Sequence, residues 1–131
     1  MIFTEGTIIK KKNIVFKQTN MVDFRMGGHP ILLPIEFGFD DSIMYYLTLS
    51  SQIHHYSKDP ERYYPLKKKS GNGLKTASLV DLKYVYKCPK ISTNPMGNID
   101  PYDLEQVMNK FLRYMGIVKD NDCNELLALI N

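Results

Sequence analysis

The sequence predicts a small α+β domain, mainly β, with a helix closing one side. Three observations carry this. The first ninety residues hold short runs of β-branched and aromatic residues between Gly-, Asp- and Lys-rich turns, the mark of a small antiparallel barrel or sandwich. The last third switches to apolar spacings of three and four, the period of an amphipathic helix. A length of 131 residues matches one domain, so residues 1–131 are read as a single unit.

Taken in order, Thr7 to Phe16 reads as a strand or a tight pair of strands around three lysines. Gly27-Gly28-His29-Pro30 punctuates, and Ile31 to Ile35 follows as a short apolar strand that Pro34 marks as bulged or at a sheet edge. Asp40-Asp41-Ser42 turns the chain into Ile43–Leu49, the strongest strand signal. Residues from Ser57 to Asn72 read as a long loop, ending in the exposed turn Lys67-Lys68-Lys69-Ser70-Gly71-Asn72-Gly73. Ala77 to Tyr86 reads as one more strand. Asp100 is placed to cap a helix that opens with Pro101 and Asp103. Its stripe is Leu104, Val107, Met108, Phe111, Leu112 and Met115, core-facing by period, and Gly116 is placed to end it. Asn124 to Ile130 suits a further short helical turn.

Composition narrows the class. Hydrophobic residues make up 44% of the chain, near the globular average, which excludes global disorder. No apolar run approaches the roughly 18–20 residues a membrane span needs, and no signal-peptide pattern opens the chain. Cys88 and Cys123 lie in unlike contexts, so neither a disulfide framework nor a metal spacing is expected. The reading is a cytoplasmic protein with no metal, no cofactor and no membrane partner.

The net charge of +3 is unevenly placed. Residues 58–90 carry nine basic side chains (Lys58, Arg62, Lys67, Lys68, Lys69, Lys75, Lys83, Lys87, Lys90) against three acidic ones, while residues 91–131 are net acidic. Such a stretch is either a phosphate-binding surface or a solvated lysine-rich loop.

Standard nucleotide-binding and hydrolase motifs are absent. His54 and His55 are adjacent on an expected strand end, with side chains on opposite sides, which argues against a two-histidine metal site. A polar cluster at strand ends remains: Thr48, Ser50, Ser51 and Gln52 after one strand, His29 at the start of another. Hydroxyls and an imidazole suit binding a phosphodiester and moving protons in RNA transesterification, where the 2′-hydroxyl is an internal nucleophile. By residue type alone, a turn histidine such as His29 is more often structural than catalytic.

The order of segments resembles the MazF/PemK (Kid-like) family of bacterial toxin endoribonucleases, over roughly residues 5 to 117. Glu5-Gly6-Thr7-Ile8-Ile9 opens the first strand. Gly27-Gly28-His29-Pro30-Ile31-Leu32-Leu33 is similar to the family's Gly-x-Arg-Pro-x-hydrophobic strand. Tyr46-Leu47-Thr48-Leu49-Ser50-Ser51-Gln52-Ile53 is similar to its strand ending in Thr-Ser/Thr-x, and Gly73-Leu74-Lys75-Thr76-Ala77-Ser78-Leu79-Val80-Asp81-Leu82 to its Gly-Leu-x-x-x-Ser-hydrophobic segment. The resemblance implies an SH3-like barrel that cleaves single-stranded RNA, without a metal, to a 2′,3′-cyclic phosphate and a 5′-hydroxyl. It also implies a toxin that forms a homodimer or a hetero-oligomer with its antitoxin. The family's reactive Arg falls on His29, and its hydroxyl on Ser50 or Ser51, with Thr48 just upstream. Histidine donates a proton more readily than arginine but stabilises a phosphorane less well unless charged. Arg25 is either the missing permanent charge or an ordinary loop arginine.

The related ToxN, CptN and TenpN toxins of type III systems share the barrel and are inhibited by a repeat RNA. The basic segment suits such an RNA, a substrate strand or an acidic protein antitoxin. Expected RNA contacts are Arg25, Gln52, the stacking candidates Tyr56, Tyr63 and Tyr64, and Lys67, Lys68 and Lys69. The alternative is a non-catalytic RNA- or protein-binding barrel. The CcdB-like gyrase poisons are one example, but they end in Trp-Gly-Ile, whereas this chain has no Trp and ends Leu-Ala-Leu-Ile-Asn.

Overall fold

In a computed structural model, the structure describes residues 3–23, 27–36, 42–115 and 121–130. The strands are β1 (Thr7–Lys11), β2 (Ile14–Val15), β3 (Val22–Asp23), β4 (His29–Leu32), β5 (Ile43–Ser50), β6 (Tyr63–Leu66), β7 (Ser78–Asp81), β8 (Tyr86–Pro89) and β9 (Gly97–Asn98). The helices are α1 (His55–Lys58), α2 (Pro101–Met115) and α3 (Asn121–Ile130). Antiparallel pairing runs β6-β7-β5-β4-β1-β9, with β8 on β5 as a branch, and β2 pairs with β3 separately. The protein is therefore mainly antiparallel β with C-terminal helices packed on it, consistent with an SH3-like barrel.

β5 organises the sheet because its two halves use different neighbours. Ile43 to Tyr46 pair with β8, whereas Leu49 and Ser50 pair with β7. Its side chains alternate between two apolar clusters. Leu47 and Leu49 join Ile8, Leu32, Val80 and Phe111 on the helix side, and Met44 and Tyr46 join Ile9, Ile31 and Tyr86 on the other. A strand covered on both faces reads as a continuous apolar run, which is how β5 reads in the sequence.

α2 begins as its residues require. Asp100 Oδ1 accepts the N–H of Asp103 at 2.7 Å, satisfying one of the donors a helix start leaves over. Val107, Phe111 and Met115 are buried and Leu104 and Met108 half-buried, but Leu112 is 41% exposed, at the margin of the stripe. α3 inserts Cys123 and Leu126 into the same cluster. Its outer side is tied to the sheet by Lys17 Nζ to Asp122, Lys87 Nζ to Glu125 at 3.0 Å, and the Tyr45 hydroxyl donating to Glu125 at 2.7 Å.

Several local expectations are corrected. Thr7 to Phe16 forms two strands that do not pair with each other; Asn13, at φ 58°, lies between them. β4 ends before Pro34 and is central, between β1 and β5. The stretch read as a loop from Ser57 contains β6. Ala77 to Tyr86 is two strands, β7 and the start of β8, joined by a turn in which Leu82 and Val85 stay buried, so the apolar pattern continues across the break. His54 and His55 sit at the start of α1, not on a strand end, and their rings lie 4.3 Å apart instead of pointing to opposite sides. The Lys67–Gly73 loop is exposed except for Asn72, whose side chain binds Lys67 O and the Leu74 N–H. Gly73 (φ +73°) lies so close to β9 that a Cβ would meet Met96 O at 2.2 Å, which admits only glycine. The Asp40-Asp41 turn and Gly116 lie outside the described residues.

No described helix is long and apolar enough to cross a membrane.

Candidate functional site

Strand register brings the sequence cluster together. Ile31 pairs with Thr48 and Leu32 with Leu47. The same register continued by two residues sets His29 opposite Ser50, on the face that also carries Thr48. The β4–β5 ladder is closed there by a side chain: the His29 ring, 7% exposed, bonds through Nε2 to Leu49 O at 2.5 Å. A carbonyl oxygen only accepts, so Nε2 carries a proton. Phe16 meets the His29 ring edge-on, with centroids 5.4 Å apart.

Just beyond, the chain turns. Ser50 Oγ accepts the Gln52 N–H at 3.1 Å. With a lone pair so engaged, the hydroxyl proton of Ser50 is left to donate elsewhere. Ser51 and Gln52 are exposed, and Thr48 is buried at 5%.

His29 and Ser50 form part of the wall between two clefts. The first, about 360 Å³, adds Gly28, Ser51 and Thr76 with the cations Lys10 and Lys75. Gly28 (φ +82°) passes so near β1 that a Cβ would stand 3.2 Å from Lys10 Cβ and from the Lys11 carbonyl group. Hydroxyls, two ammonium groups and backbone at close approach are the equipment of an anion site.

The second cleft, about 490 Å³, is lined by Thr48, His55, Arg62, Asp81, Tyr84 and others. Arg62 leads into β6 and Asp81 ends β7, so the pairing of these strands joins them. Nε donates to Oδ1 at 3.0 Å and Nη2 to Oδ2 at 2.8 Å. The guanidinium lies over the rings of Tyr63 and Tyr84, at 5.0 and 5.4 Å. Burial opposes its charge, but the hydrogen bonds and charge of Asp81 more than offset that and raise its pKa. His55 Nε2 lies 2.9 Å from Gln52 Oε1. Its pKa is lowered, first by desolvation and then by repulsion from His54, Lys58 and Arg62.

Of the residues singled out in the sequence, His29, Thr48, Ser50, Ser51, Gln52 and Tyr63 line these clefts. Tyr64 and Lys69 are engaged elsewhere. The Tyr64 hydroxyl donates to Asp103 at 2.6 Å, and Lys69 Nζ bridges Asp100 and Asp103, both at 2.8 Å, so the two brace the start of α2. Tyr56 lies under Lys110 and, with Lys67, lines a separate, mostly apolar groove. Lys68 is exposed on the loop, and Arg25 lies outside the described residues. Arg62, which the sequence shows only as one of nine basic residues, and His55, there only half of a rejected metal pair, join the site with Gln18, Asp81 and Tyr84, which do not stand out in sequence; the five come from four separate segments. Arg62 and Asp81 are brought together by the Tyr63–Asp81 register, which no single segment encodes.

Among the described residues no three His, Cys, Asp or Glu side chains gather as a metal site requires. No protein-family model matches the chain, and no curated protein matches it in sequence.

Proposed function

We propose that the protein is a metal-independent endoribonuclease, the toxin of a toxin–antitoxin pair, which cuts single-stranded RNA at the wall shared by the two clefts. The observation that supports this best is the His29–Ser50 pair, held side by side by strand register next to a cleft lined with hydroxyls and lysines. The resemblance of the segment order to the MazF/PemK family points the same way, and with it to a protein or RNA antitoxin.

In this reading the scissile phosphate lies in the first cleft, near Lys10 and Lys75. A base takes the 2′-hydroxyl proton as O2′ attacks phosphorus, the P–O5′ bond breaks, and O5′ receives a proton. The products are a 2′,3′-cyclic phosphate and a 5′-hydroxyl. His29 serves one of the two proton transfers, its ring oriented by the bond from Nε2 to Leu49 O. Ser50, whose oxygen is already engaged by the Gln52 N–H, donates its hydroxyl proton to the charge that builds on the phosphorane. Lys10 and Lys75 supply the positive charge beside it, where the family pattern has an Arg at the position of His29.

The test is cleavage of a single-stranded RNA by purified protein in EDTA, with product ends analysed. Cyclic phosphate ends are expected, and His29→Ala and Ser50→Ala should each lower the rate by roughly 100-fold or more. Full-rate cleavage by both variants would remove these residues from the reaction. Tight RNA binding with no cleaved product would make the protein a binding module instead.

A further inference from the structure

The second cleft is equipped for something that breaking a phosphodiester does not require. Phe16 and Tyr84, both half-buried, contribute aromatic surface to it. Among its polar groups, two side-chain amides are turned so as to present donors. Arg62 has no acceptor, so its Nη2 contact at 3.0 Å must be with the oxygen of the Gln18 amide, which leaves the Gln18 NH2 to donate. Gln52 turns its Oε1 to His55, and its NH2 is likewise left to donate. The Asp81 carboxylate, by contrast, is largely engaged: both oxygens accept from Arg62, and Oδ1 also accepts the Lys83 N–H at 3.0 Å.

Aromatic surface with oriented in-plane donors is what an unstacked nucleobase needs. We propose that this cleft is a nucleobase pocket that prefers a keto base, uracil or guanine, over an amino base, adenine or cytosine. The carbonyl O4 of uracil or O6 of guanine accepts from the side-chain amides. The exocyclic amino group of cytosine or adenine brings a donor to the same place and leaves donors facing each other. Because His29 and Ser50 line both clefts, a base seated here has its phosphate within reach of the first. That placement rests on the endoribonuclease reading; base binding itself does not.

The test titrates the full-length protein with the 5′-monophosphates of uridine, guanosine, cytidine and adenosine, with ribose 5-phosphate as the base-free control. Uridine or guanosine monophosphate should bind about tenfold more tightly than the other two, a difference typical of one mispaired polar contact. The uridine and guanosine arms separate a pyrimidine pocket from a purine one. Gln18 is exposed, so Gln18→Ala leaves folding intact; it should bring the four affinities together without changing that for ribose 5-phosphate. Tyr84→Ala should weaken all four nucleotides. Equal affinities in the unaltered protein would overturn the keto preference. Ribose 5-phosphate binding as tightly as the best nucleotide, or no saturation up to roughly 10 mM by any of them, would overturn the pocket. Since binding is read without cleavage, a protein that selects a keto nucleotide yet leaves RNA intact keeps the pocket and loses the ribonuclease. One that cuts RNA but treats the four nucleotides alike keeps the ribonuclease and loses the keto preference.

Discussion

Ser50 and Ser51 are neighbours of the same chemical type, and composition cannot choose between them. Geometry distinguishes them: Ser50 keeps the β5 period, stands on the face of His29, and has its oxygen oriented by the Gln52 N–H, whereas Ser51 lies just beyond the strand. The same logic of partners governs Arg62. Its side chain is only 13% exposed, and that of Asp81 14%. Removing the carboxylate therefore strands a guanidinium that water reaches poorly, with Gln18 as its remaining side-chain acceptor. Asp81→Ala should lower stability by about 3 kcal/mol, towards the lower end for breaking a buried pair because neither side chain is fully enclosed. Asp81→Asn, which keeps an acceptor for Arg62, should cost less. Denaturant midpoints for the two variants and the unaltered protein check the order; variant midpoints equal to that of the unaltered protein would mean that the pair contributes no net stability.

At the scale of elements, legibility followed how local the determinants are. β5 and α2 are written in their own side chains, an unbroken apolar run and a stripe at helical spacing behind an Asp cap. β6 was hidden because Tyr63–Leu66 is four residues long, contains Pro65, and becomes a strand only by pairing with β7. The turn between β7 and β8 was hidden because Leu82 and Val85 remain in the core. The site divides the same way: His29 and the Thr48–Gln52 run were readable, while Arg62 and Asp81 meet only through tertiary pairing. α3 was read only in part, and its docking suggests a pH response. Glu125 has its pKa lowered by the Tyr45 hydroxyl and then by Lys87. The undocked carboxylate, with the higher pKa, takes up a proton first as pH falls. The contribution of Glu125 to docking is thus at full strength above the usual carboxylate range, roughly pH 4.3, and is lost as pH drops through the depressed value. Hydrogen exchange at descending pH should show α3 amides losing protection before those of β5. Loss of both at one pH would mean that the helix does not undock separately.

For the whole molecule, the local charge excess of residues 58–90 is smaller in effect than the count suggests, because folding commits part of it. Arg62 is paired with Asp81, Lys69 with Asp100 and Asp103, and Lys87 with Glu125. These pairs tie the basic segment to its own sheet and to the acidic C-terminal third, so part of the charge asymmetry holds the fold together instead of awaiting a partner. Lys75 differs: it makes no ion pair among the described residues and lines the first cleft beside Lys10. If RNA phosphates follow that cleft, the two lysine types must separate in a salt titration. Each phosphate neutralised on a single strand contributes about −0.7 to the slope of log K against log salt. Lys75→Ala should therefore make the RNA-binding slope shallower by about 0.7. Lys69→Ala should leave the slope unchanged while loosening the start of α2, seen as faster hydrogen exchange over its first turn. Equal changes of slope for the two variants would mean that RNA responds to the basic segment as a diffuse field and not to the cleft that holds His29 and Ser50.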